Sequence, residues 1–111
     1  MPKQKDVLKK IVALKRQSAE QRVRTVQNDV DRIETHIQAL CASLQGIDTS
    51  SAGSDAVHLA QEHGYPPKLI ADIRAAQAAL AIRQTELHAA REALKHVFHS
   101  QERLNEAASK G

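Results

Sequence analysis

From Val23 onward the aliphatic residues fall at Val23, Val26, Val30, Ile33, Ile37, Leu40 and Leu44, with gaps that alternate three and four. On a helix that alternation keeps one stripe facing one direction. It is the heptad pattern of a coiled-coil seam, with Val23, Val30, Ile37 and Leu44 at a and Val26, Ile33 and Leu40 at d. Traced back towards the N-terminus, Ala19 and Val12 stay in register while Arg16 and Lys9 fall on a positions. A second stripe of Val7, Ile11 and Leu14 lies about one position round the same helix. Further along, a longer seam runs through Leu69, Ile73, Ala76, Leu80, Arg83, Leu87, Ala90, Leu94, Val97, Gln101, Leu104 and Ala108. Its gaps again alternate four and three, and only Arg83 and Gln101 interrupt its apolar character.

The punctuation between these stripes predicts where the helices end. Asp6 is a suitable N-cap. Gly46 followed by Ile47 has the pattern of a left-handed glycine stop with its hydrophobic contact one residue on. The first helix is therefore expected over about 6–45. Residues 47–54 (IDTSSAGS) read as loop. Ser54 is placed to cap a short helix over 55–63, ended by Gly64. Pro66 and Pro67 follow, and proline is accepted in a first helical turn, so the second long helix is expected over about 67–108. Each stripe must be buried somewhere, and the 46–66 connection lets the helices fold back on each other. The expected fold is all-α: a single domain, 1–111, formed by two long helices in an antiparallel coiled-coil hairpin, with a short helix or loop in the connection. Leu44 would then lie near Leu69, and Val7–Leu14 near Gln101–Ala108. Arg83 would fall opposite Asp31–Glu34, either paired with them or covering the seam with its alkyl stem.

Composition agrees with a narrow core. The chain has one Phe, one Tyr and no Trp, although aromatics supply the largest buried areas in globular interiors. Ala, Leu, Gln, Glu, Lys and Arg, which dominate, all favour helix. The net charge of +3 conceals an asymmetry. Residues 1–24 carry Lys3, Lys5, Lys9, Lys10, Lys15, Arg16, Arg22 and Arg24 against Asp6 and Glu20 alone. Cys41, the single cysteine, cannot form an internal disulfide, and at the seam edge beside Leu40 it reads as a small packing residue. Neither a signal-peptide core nor a run approaching the ~18–20 apolar residues of a membrane span is present. A cytoplasmic protein without membrane insertion is the expectation.

Signatures of catalysis are missing: there is no glycine-rich phosphate loop, no HExxH, no CxxC and no nucleophile elbow. No catalytic residue, cofactor or metal is therefore expected, and the chain reads as a non-enzyme. His88, Glu92, His96 and His99 share one helix face at chelating spacings, but no second segment supplies convergent ligands, so a solvated face is the simpler reading. His58 and His63 read the same way. The basic cluster admits three readings: docking to an acidic protein surface, nucleic-acid binding, or a solvated face. Protein docking fits best, because the terminal stripes of both helices converge there, while interleaved aromatics of a nucleic-acid site are missing. Tyr65, beside two prolines, reads either as a recognition anchor or as the hydrophobic plug after Gly64.

The basic start (MPKQKDVLKKIVALKRQSAEQR), the unbroken heptad helix, the central break and the Ala/Leu/Gln/Glu/Arg-rich second helix (LIADIRAAQAALAIRQTELHAAREALKHVFHSQERLNEA) together resemble the FliJ family of flagellar export proteins. They are equally similar to its virulence-type counterpart, the YscO family of type III export stalk proteins. The resemblance implies a coiled coil like the central stalk of rotary ATPases. It implies three partners: a hexameric export ATPase, the export gate membrane protein, and export chaperones. It also implies a place at the inner membrane through the export apparatus. The end entering the ATPase would include Val7, Leu8, Ile11, Val12 and Lys15 with Val97, Phe98 and Leu104. The gate end would include the tip residues His58, Leu59 and Tyr65. Two other readings compete: a generic coiled-coil scaffold, oligomeric through helices from two chains, and a basic nucleic-acid-binding helical module.

Overall fold

The computed structural model describes residues 2–49 and 65–110. They form two helices, α1 (Pro2–Thr49) and α2 (Tyr65–Lys110), and no strand occurs among the described residues. The architecture is the all-α helical hairpin that the two stripes predict. Two compact units divide it: Met1–Asn28 with Gln84–Gly111, and Asp29–Arg83.

In the first unit the helices run antiparallel. Arg16 pairs with Gln101 (Nη1 to Oε1, 3.1 Å), and further along α1 Gln27 pairs with Arg91, which precedes Gln101 on α2 (Arg91 Nη2 to Gln27 Oε1, 2.8 Å). Val26, Leu87 and Ala90 are its buried hydrophobics. Around them Val12, Ala19, Val23, Leu94, Val97, Leu104 and Ala108 are half-buried. In the second unit Val30, Leu69 and Ala76 are buried, flanked by half-buried Ile33, Ile37, Leu40, Leu44, Ile73 and Leu80. The opposed direction recurs here: Ile33 lies on one cleft with Asp29, Arg32 and Arg83, and on another with His36, Asp72, Ala75, Ala76 and Ala79. Among the described residues no charged or polar residue is buried, as expected of a seam one residue deep.

Both helices are longer than their local signals suggest. α1 begins at Pro2 and runs through Asp6, which therefore caps nothing. Its first turn contains no acidic residue. Proline is tolerated at the first helical position, and the lysine- and glutamine-rich sequence that follows is a good helix former, so the helix gains a turn ahead of Asp6. At the other end α1 passes through Gly46 and Ile47 to Thr49. A glycine inside a helix costs only about 1 kcal/mol relative to alanine, and the expected glycine stop does not form. α2 starts two residues early, at Tyr65, which puts Pro66 and Pro67 in its first turn. The short helix expected over 55–63 lies outside the described residues.

Hydroxyl side chains on the outer faces turn back onto the helices. Thr35 donates to the Asp31 carbonyl (2.9 Å), Ser43 to Ala39 (3.1 Å) and Ser100 to His96 (3.0 Å). Such back-bonding satisfies these hydroxyls without a partner on the facing helix.

Candidate functional site

The N-terminal part of α1 carries more apolar surface than the seam uses. Val7, Leu8, Ile11 and Leu14 are 54%, 49%, 43% and 65% exposed, whereas Val12, on the seam, is half-buried. Val7, Ile11 and Leu14 follow one another at i, i+4 and i+7, so they form a strip along one side of the helix. Lys10 and Lys15, three residues after Val7 and four after Ile11, are exposed beside that strip, and Lys5 and Lys9 are exposed farther round the same segment. Isolated exposed aliphatics are ordinary, but a contiguous strip on a small surface is the usual mark of an interaction site.

α2 completes the site from across the seam. Val12 and Lys15 line a cleft of about 180 Å³ together with His96, Val97 and Ser100. The cleft is mainly apolar, and its rim carries the Lys15 ammonium. Leu104 is half-buried on the same helix, and Phe98, 37% exposed, carries the Arg16 guanidinium 4.6 Å from its ring centroid. Phe98 is thus partly occupied by a cation from within the hairpin. The structure accordingly gathers Val12, Lys15 and Val97 on one cleft, whereas Phe98 meets Arg16.

Arg16 organises the neighbouring layer. Its Nε donates to Glu20 (2.9 Å) and its Nη1 to Gln101 (3.1 Å). Arg16 and Gln101 each interrupt one of the two seams, and they meet. Two turns along, Arg22 and Glu86 approach at 3.8 Å, a longer pair at the surface. The pairing of two seam interruptions could have been found from the sequence by sliding the second stripe past the first until polar met polar. Neither stripe alone reveals it.

The remaining sequence-predicted positions divide as follows. Cys41 is half-buried beside Leu40. Arg83 is half-buried on the cleft with Asp29, Arg32 and Ile33. His88, Glu92, His96 and His99 are exposed, His99 lies 3.8 Å from Glu102, and among the described residues no group of three or more His, Cys, Asp or Glu is arranged to hold a metal. His58 and Leu59 of the tip lie outside the described residues, and Tyr65 is the first residue of α2. Among the described residues no helix is long and apolar enough to cross a membrane. A scan against protein-family models, a search of curated proteins and a search of solved structures each found no match.

Proposed function

We propose that this chain is a non-enzymatic stalk or adaptor that binds a hexameric type III export ATPase, raises its turnover and links it to the export gate. Export chaperones are further partners on this reading, and the chain works in the cytoplasm, peripheral to the inner membrane through the export apparatus. The observation that carries the reading is the exposed strip of Val7, Leu8, Ile11 and Leu14 among lysines, at the end of the hairpin where α1 begins and α2 finishes. A stalk needs an adhesive end, and the terminal strip that the seam leaves open supplies one.

The mechanism is differential contact. Subunits of a rotary ATPase differ with nucleotide state, and a stalk alters turnover only if its contact free energy differs among them. The strip offers aliphatic surface for that contact, and the lysines would steer the approach to an acidic partner surface. No bond is made or broken by the chain itself. The test is to mix purified chain with the export ATPase and measure both hexamer formation and ATP turnover. Turnover should rise and hexamers persist at lower subunit concentration. If the ATPase is indifferent to the chain in both measurements, the reading is wrong.

A further inference from the structure

The cleft between the helices of the first unit and the strip beside it are two parts of one surface. Leu8, Ile11 and Lys15 recur at three and four residues along α1, and Val12, one position on, lines the cleft with Val97 and Ser100 of α2. An apolar floor shared by two antiparallel helices, with one helix offering further aliphatics at its lip, is the seat that a third helix takes in a bundle. We infer that this seat receives an amphipathic helix of a protein partner, with aliphatic residues on its inner stripe and carboxylates on its flanks.

Charge selects the occupant. Lys15 lines the seat and Lys10 is exposed on the far side of the strip, with Lys5 and Lys9 exposed on the same segment of α1, and the sequence up to Arg24 holds only Asp6 and Glu20 to offset its eight cations. A second copy of this end would bring like charges together, and a basic helix likewise. Glutamate or aspartate on the flanks instead meets lysine, as in the e and g pairs of a coiled coil. A membrane surface also attracts cations, but Val12 and Val97 lie in a cleft, where a protruding side chain reaches and a flat lipid interface does not. The Trp residues that anchor interfacial helices are absent from the sequence. The inference rests on the reading that this end of the hairpin binds protein, and it does not require that the partner be an ATPase.

The test uses the full chain and a designed 21-residue helical peptide with leucine on one heptad stripe and glutamate at the flanking positions, titrated by fluorescence anisotropy. Two controls accompany it: the same peptide with lysine for glutamate, and vesicles containing phosphatidylserine. The acidic peptide should bind at least tenfold more tightly than the lysine peptide. Ile11→Asp and Lys15→Glu should each weaken binding at least tenfold while helicity and melting temperature stay as in the parent. Ile11 and Lys15 are both exposed, so both variants should fold. Lys10→Glu offers a third test without touching the apolar floor. Equal binding of the two peptides, insensitivity to all three substitutions, or binding to vesicles without binding to the acidic peptide would each overturn the inference. Because the probe contains no ATPase sequence, acidic-peptide binding together with an unresponsive ATPase would remove the stalk assignment and keep the seat.

Discussion

Arg16 of α1 and Gln101 of α2, 85 residues apart in sequence, are hydrogen-bonded across the first unit at 3.1 Å, so one polar gap in each aliphatic seam closes on the other. Arg16 is further held by Glu20 at 2.9 Å and by the face of Phe98. A polar residue at a seam position costs stability and specifies register, since any slip leaves it facing an apolar neighbour. The Arg16 side chain remains 42% exposed, so water compensates a lost partner and the layer is cheap to break.

That layer gives the first prediction. Replacing Arg16 and Gln101 together by leucine should stabilise the chain against urea by about 1–2 kcal/mol, because a polar layer becomes an apolar one. The same variant should lose selectivity for one pairing, seen by light scattering as mixed association states. Either single leucine variant should lie within about 1 kcal/mol of the parent. A double variant less stable than both singles would show that the layer contributes to stability rather than to register.

Burial separates two large aliphatics on α2. Leu87 is 6% exposed and Ile82 is 60% exposed. Leu87→Ala should cost roughly 2–4 kcal/mol, the range for a truncated core leucine. Ile82→Ala should fall within about 0.5 kcal/mol of the parent. Chemical denaturation monitored by circular dichroism measures both.

Gly46 provides a test of helix continuity. A methyl group built on it meets nothing within 4 Å, and α1 continues past it to Thr49. Gly46→Ala should therefore stabilise by about 0.5–1 kcal/mol, through helix propensity and a less disordered unfolded chain. At a left-handed helix stop the same change would destabilise, so the sign of the shift in melting temperature discriminates the two.

The exposed strip should be dispensable for folding. Changing Val7, Ile11 and Leu14 together to serine should lower the melting temperature by only a few degrees, since each side chain keeps 43% or more of its surface in water. On the proposed reading, stimulation of an export ATPase should disappear in the same variant. Retained stimulation would move the contact elsewhere on the chain.

The seams were legible because a coiled coil is one residue deep. Burial there follows periodicity alone, and positions such as Val26, Val30, Leu69 and Leu87 need no knowledge of the distant chain. Helix ends were less legible, because Asp6 and Gly46 carry local start and stop signals worth only about 1 kcal/mol each, and α1 runs through both. The Arg16–Gln101 pair depends on the register between two helices, which neither stripe specifies by itself. The strip of Val7, Ile11 and Leu14 was visible as a second stripe, but only the packed hairpin reveals that α2 leaves it open. Function was the least legible, because stripes and charges carry no motif that names a partner.

Val26 is the only side chain among the described residues with less than 2% of its surface in water. So thin an interior leaves little folding free energy in reserve. A partner present at a hundred times its dissociation constant adds about 2.7 kcal/mol to the stability of whatever it holds. For an interior this thin that increment is large, and the rigidity of the end that a partner holds becomes a property of the complex, rising and falling with occupancy.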